Sequence, residues 1–321
     1  MSLIDYSSKR FVSGRSLLRK SFKESDAIHP WKTVLKVFLL TSCALAAFAA
    51  NSVLCRFALG TGAIDAAGFT FIRLLSGVVA LFLVLLIRTS SSPMNGKGSW
   101  PAGLMLFLYA VTFSYAYLEL ETGSGALILF GSVQITIIGV SIVRGNNLLP
   151  VEWVGLALAF AGLVYLFLPG VSAPSIQGLL LMSTAGAAWG MYTLLGRGSD
   201  NPLADTAYNF LRSMPLILVI VIFAFGNFQF TANGTILAIV SGALTSGLGY
   251  TIWYIALRDI TATQAAVSQL AVPVIAALGG VIFMSEVITL RLTVAAFMIL
   301  GGIFMVVVGR VIFIEKETSK T

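Results

Sequence analysis

The chain has 321 residues, of which 58% are hydrophobic and 10% charged, and its formal net charge is +7. Soluble domains carry about 25% charged residues, so the composition excludes an ordinary water-soluble protein. Its apolar residues fall in blocks about 20 long, the length that crosses a bilayer core, without the alternation of a membrane β-barrel; the fold class is therefore an all-α integral membrane protein.

Residues 1–31 form a basic, polar tail. Its polarity and terminal position favour disorder; the alternative is a short lipid-surface helix carrying Phe11, Val12, Leu17, Leu18 and Phe22. Ten predicted spans follow, at roughly 33–53, 67–87, 101–119, 123–143, 150–168, 176–196, 206–225, 235–256, 261–283 and 290–312. The breaks carry turn chemistry: SSPMNGKG at 91–98, RGNNLLP at 144–150, LPGVSAPS at 168–175, GRGSDNP at 196–202 and FGNFQFTANG at 225–234. LTSC at 40–43 and AFA at 47–49 resemble cleavage sites but lie too far from the N-terminus for an ordinary signal peptide. Cys43 and Cys55 would stand roughly 18 Å apart on one helix, too far for a disulfide.

Orientation follows from Lys and Arg. With a cytoplasmic N-terminus, 16 of the 20 fall inside, Arg56 and Arg291 fall outside, and Arg73 and Arg212 lie within spans. The positive-inside rule then puts both termini in the cytoplasm. That face accounts for the net charge, and no nucleic-acid partner is needed.

The chain also repeats itself. FTFIRLLSG at 69–77 and YNFLRSMPL at 208–216 share an aromatic, an aliphatic and an arginine, with Arg73 and Arg212 139 residues apart. The same offset pairs Thr122 with Thr261, Ala126 with Ala265, Tyr115 with Tyr254, Gln134 with Pro273 and Gly162 with Gly301. In the first helix of each copy the offset is 141, pairing Phe48 with Trp189 and Arg56 with Arg197. This gives a first five-helix repeat over 32–169, a second over 170–314 and a short C-terminal tail over 315–321. Five spans are an odd number, so the copies insert with opposite topology, as in secondary transporters that bind substrate near the midplane.

Three stretches carry a family resemblance: LYAVTFSYAYLELETGSGALILFGSVQ at 108–134, GAAWGMYTLLGR at 186–197 and YIALRDITATQAAVSQLAVPVIAALGGVIFMSEVIT at 254–289. Over about 33–312 the chain resembles the EamA-like transporters of the drug/metabolite transporter superfamily. The resemblance implies ten helices, a central cavity, and export or exchange of amino acids, related metabolites or drugs across a bacterial-type plasma membrane. The second repeat keeps the family-like Pro273 and Glu286, where the first has Gln134 and Asn147. The two halves are thus chemically unequal.

Arg73 and Arg212 each sit about six residues inside a span, roughly 9 Å deep near opposite faces. Each either snorkels or holds helix-end carbonyls, or faces the cavity as an anion ligand or gate. Asn51, Tyr115, Gln134, Trp189, Tyr192, Asn209, Tyr250, Trp253, Tyr254, Gln264 and Gln269 are the other candidate lining residues, since pockets combine apolar and aromatic walls with a few polar groups. Their alternative roles are helix packing and interfacial belts. Tyr109 and Tyr117 are assigned to belt or packing. Gly242, Gly247, Gly249, Gly279, Gly280, Gly301 and Gly302 read as close helix contacts, and Pro215 and Pro273 as bend points.

No Asp or Glu falls mid-span, so no buried carboxylate proton relay is evident. TGSGA at 122–126 resembles an intramembrane protease motif, but no span holds a histidine to act as base. A nucleotide-binding GxxxxGK[ST], a cofactor motif and metal-ligand spacing are all missing from the sequence. The reading is a secondary transporter, which the family resemblance alone implies to be an exporter, of a small polar or amphipathic metabolite, not an enzyme, with the small-molecule substrate and the lipid bilayer as its partners. An uncoupled facilitator is the alternative within transport; a membrane enzyme or receptor-like binding protein is the alternative outside it.

Overall fold

The computed structural model describes residues 30–88, 97–145, 148–168, 174–224, 229–260 and 262–318. The expected N-terminal tail, Asn147, Thr261 and the last C-terminal residues lie outside the described residues.

Ten helices follow one another among the described residues: α1 (Pro30–Gly60), α2 (Ala66–Arg88), α3 (Trp100–Glu119), α4 (Thr122–Val143), α5 (Pro150–Phe167), α6 (Ile176–Gly196), α7 (Pro202–Phe223), α8, α9 and α10 (Leu290–Thr318). α8 consists of Ala232–Val240, a π-helical stretch Ser241–Leu248, and Gly249–Ala256. α9 is broken into Ala262–Gln269 and Ala271–Met284. The only β-type pairing among the described residues is an isolated bridge between Ile64 and Phe230.

Short polar side chains start several of these helices, as the turn-rich breaks suggest. Ser99, Ser175, Asn201 and Thr231 each accept a hydrogen bond from a first-turn backbone N–H, filling donors that have no partner within the helix. Pro273 explains the break in α9. It lacks an N–H and cannot bond the carbonyl four residues back, at Gln269, where the first segment ends. Nine described helices are long and apolar enough to cross a membrane. α5 has 18 residues and is about 27 Å long at 1.5 Å per residue, close to a bilayer core.

The helices pair with approximate two-fold symmetry. α3 packs on α6 and α8 on α1; α4 packs on α6 and α9 on α1; α2 meets α7, α4 meets α9, and α5 meets α10. Adding five to each helix number maps this set of contacts onto itself. The α5 and α10 backbones touch at Gly155 and Gly302, where a Cβ on either would meet the other's carbonyl oxygen. Gly301, expected in such a contact, instead has open space at its Cβ position. It borders an apolar furrow of about 390 Å³ between α4, α9 and α10, lined among others by Pro273, Ala277 and Leu292.

Candidate functional site

Arg73 lies in α2 and is 1% exposed, so it does not snorkel. Its Nε donates to the Ser246 hydroxyl at 3.0 Å and its Nη2 to the Tyr250 hydroxyl at 2.9 Å, both on α8. The guanidinium carbon lies 5.1 Å from the Tyr109 ring centroid and 5.0 Å from that of Phe113, within cation–π range. No carboxylate pairs with it among the described residues, and Nη1 makes no hydrogen bond.

The neighbours form one polar chain. Asn51 of α1 accepts from Ser241 at 2.7 Å, Thr245 at 3.3 Å and Ser246 at 3.4 Å, and its Nδ2 donates to the Tyr109 hydroxyl at 3.1 Å. Tyr250 donates to the same hydroxyl at 3.3 Å. Asn51, Tyr109, Ser241, Ser246 and Tyr250 are all buried.

The π-helical stretch makes this convergence possible. Ser241 and Tyr250 are nine residues apart, about two and a half α-helical turns, so a regular helix would place them on opposite faces. The wider turns of a π-helix let both reach the same network. Gly242 lets α8 close onto α2, because a Cβ there would run into the Arg73 carbonyl oxygen and the Ser76 hydroxyl.

Aromatic rings wall the network. The Trp189 ring of α6 lies 4.5 Å from Tyr250, 5.1 Å from Tyr109, 5.4 Å from Tyr192 and 5.7 Å from Phe48, centroid to centroid. Trp253 meets Phe48 at 5.6 Å. Phe48 and Trp189, paired by the sequence repeat, therefore face each other across the junction of the two halves.

The structure brings together Arg73, Asn51, Trp189, Tyr192, Tyr250 and Trp253 from the sequence candidates. Arg212 lies elsewhere, half-buried near the cytoplasmic ends as the positive-inside reading assigns them. It donates to the carbonyls of Lys97, in the loop before α3, and of Tyr208 within α7, and sits 5.9 Å from the Trp100 ring. Asn209 accepts from the Ser99 N–H at the start of α3, and Tyr254 donates to the Tyr192 carbonyl at 3.2 Å. Tyr115 is half-buried and Gln264 exposed. Gln134 and Gln269 are buried, with Nε2 and Oε1 respectively left without partners. Sequence reasoning missed Tyr109, Phe113, Ser241, Thr245 and Ser246. The repeat could not flag the serines and threonine, because their positions in the other half carry different residue types.

Both ends of the bundle are latched. At one end Asp65 accepts from the Gly68 and Gln229 N–H groups, and Thr231 donates to the Ala63 carbonyl. Glu286 accepts from the Thr122 N–H and hydroxyl, and Arg56 lies 3.5 Å from it while donating to the Tyr117 carbonyl. At the other end Asp205 accepts from the Gly98 N–H and the Ser199 hydroxyl, and Arg258 donates to the Ser199 and Asp200 carbonyls. Asp65 lies just ahead of α2 and Asp205 in the first turn of α7, one position apart in the register of the repeat. Each grips a loop of the other half: Asp65 the one leading into α8, Asp205 the one leading into α3.

Comparison with known proteins gives a consistent picture. A family model of EamA-like transporters matches residues 176–308. The chain is 46% identical over 276 residues to an uncharacterised protein of Pseudomonas aeruginosa, covering 86% of this chain and 96% of that one. It is 22% identical to the uncharacterized transporter YoaV of Bacillus subtilis, over 74% of this chain and 85% of that one. It is 28% identical to the threonine/homoserine exporter RhtA of Escherichia coli K12, over 53% of this chain and 58% of RhtA. A solved crystal structure shares the fold with a TM-score of 0.58 at 19% identity, covering 83% of this chain and 98% of its own.

Proposed function

Since the chain belongs to the EamA-like transporter family, we propose that this membrane transporter is a secondary exporter of a small polar or amphipathic metabolite, such as an amino acid or related compound. It works by alternating access between its two five-helix repeats, in a plasma membrane with both termini cytoplasmic. The observation that carries this reading is the buried Arg73–Asn51–Tyr109 centre, walled by aromatic rings at the junction of the repeats and latched at both ends. Substrate sites of inverted-repeat transporters lie in that position, and mostly apolar walls with few polar groups suit a small metabolite. The likeness to a threonine/homoserine exporter supports the direction and the size of the substrate.

The test is flux. Purified protein in liposomes loaded with a mixed metabolite extract is expected to release particular solutes, chemically unchanged, faster than empty liposomes do. Conversion of a solute to a product, or retention without release, overturns the reading. Uncoupled facilitation is the second reading, because none of the acidic residues described lies against the Arg73 centre to relay a proton. A solute gradient that dissipates without any proton gradient or counter-solute favours it.

A further inference from the structure

We propose that the group completing the Arg73 centre is the carboxylate of a small monocarboxylic acid with an apolar or aromatic remainder, and that no ammonium group is needed for recognition. The assignment rests on the transporter reading and names the chemistry of its substrate.

The hydrogen bonds of the centre leave two donors unspent. Tyr250 accepts from Arg73 and donates to Tyr109. Tyr109 accepts from both Asn51 and Tyr250, so its own O–H is left over. Arg73 Nη1 also has no partner. Asn51 Oδ1, the natural acceptor, already receives from Ser241, Thr245 and Ser246. An incoming group that takes up these donors accepts hydrogen bonds, and beside a buried guanidinium with no carboxylate partner among the described residues an anion is favoured. A carboxylate meets both demands, with a planar pair of oxygens that matches the arginine fork.

The rest of the ligand meets rings: Phe48, Phe113, Trp189 and Tyr250 surround the polar chain. An ammonium would find like charge on Arg73 and no carboxylate to neutralise it. An amino acid is then recognised through its acid group and side chain, with its amine a bystander.

The experiment compares three probes that share a phenyl ring: 3-phenylpropionate, phenylalanine and phenethylamine. Thermal unfolding of the purified full chain in detergent reads binding, since a ligand selective for the native state raises the midpoint. Both acids are expected to raise it, while phenethylamine and sodium chloride are not. Arg73→Gln is expected to abolish the effect. Tyr109→Phe keeps the ring and loses the spare donor, and is expected to weaken both acids about tenfold.

The assignment is overturned if phenethylamine or chloride stabilises as well as the acids. It is equally overturned if neither acid acts at millimolar concentration, or if both variants respond as the unmodified chain does. Should Arg73→Gln fail to fold, the probe series on the unmodified chain and Tyr109→Phe still decide. Flux measured alongside separates the two readings. Movement of solutes regardless of their carboxylate removes this assignment and leaves transport standing. Acid binding with no movement of any solute does the reverse.

Discussion

Gly242 is where a single methyl group has the largest foreseeable effect. The α8 backbone touches α2 there, at the carbonyl of the residue whose side chain organises the site. Gly242→Ala must push the two helices apart, and overpacking of this kind costs about 1–3 kcal/mol. It should lower the thermal midpoint in detergent and impair transport together. Gly301→Ala is the control: open space surrounds its Cβ position, and its midpoint should stay level or rise slightly. Equal losses in both variants would contradict the close approach at Gly242. At this scale the sequence was legible in part. An arginine in an apolar run marked α2 as unusual, but depth alone could not separate snorkelling from burial. That was decided by Ser246 and Tyr250, which arrive from a helix about 170 positions later. Arg212 shows the other outcome for a repeated residue, because the carbonyls of Lys97 and Tyr208 lie within its reach. Duplication copies a side chain without copying its neighbours.

Among elements, the two aspartate latches invite a paired test. Asp65 ties the loop into α8 at one face, and Asp205 ties the loop into α3 at the other. If they hold opposite entrances shut, Asp65→Ala should open the site to the outside and Asp205→Ala to the cytoplasm. Cys55 is a native reporter, being fully buried in α1. With exposed Cys43 replaced by serine, a membrane-impermeant thiol reagent should label Cys55 from outside in the first variant and from inside in the second. Labelling from the same side in both would contradict the pairing. The ten spans themselves were readable from apolar length and turn chemistry, though not the polar caps that begin several of them. The π-helical stretch in α8 was not. Its residues SGALTSGL look like ordinary small-residue packing, and its contacts with α1, α2 and the Arg73 side chain emerge only in the fold. The break in α9 was half visible, as Pro273 announces a bend without saying which upstream residue ends the first segment.

For the molecule as a whole, the charge distribution and the packing make one statement about topology. Arg56 is engaged with Glu286 and the Tyr117 carbonyl, and Arg291 with the Leu168 carbonyl at 2.6 Å; the positive-inside reading puts both on the outside. Local contacts thus occupy the two arginines that run against the positive-inside rule. Single cysteines at Lys97 and Arg258, on a background lacking Cys43 and Cys55, should react only from the cytoplasm, and one at Glu121 only from outside. Reaction of the first two from outside would invert the assignment. The two-fold arrangement was legible because offsets near 140 survive in the sequence. The inequality of its halves was legible where Gln134 stands against Pro273 and Asn147 against Glu286.

Alternating access around Arg73, as proposed, would also couple the protein to membrane voltage. A fixed charge feels a different share of the membrane potential when the aqueous path to it opens from one side and then from the other. Across the full field the difference is about 2.3 kcal/mol per elementary charge per 100 mV. With the interior negative, the unloaded carrier is drawn toward the state in which its cation communicates with the cytoplasm, where an exporter collects its cargo. A carboxylate on Arg73 cancels that charge, so the loaded step should be nearly indifferent to voltage. Imposing a potassium diffusion potential on proteoliposomes should change net export, which includes the empty return, and leave one-for-one exchange almost unaltered.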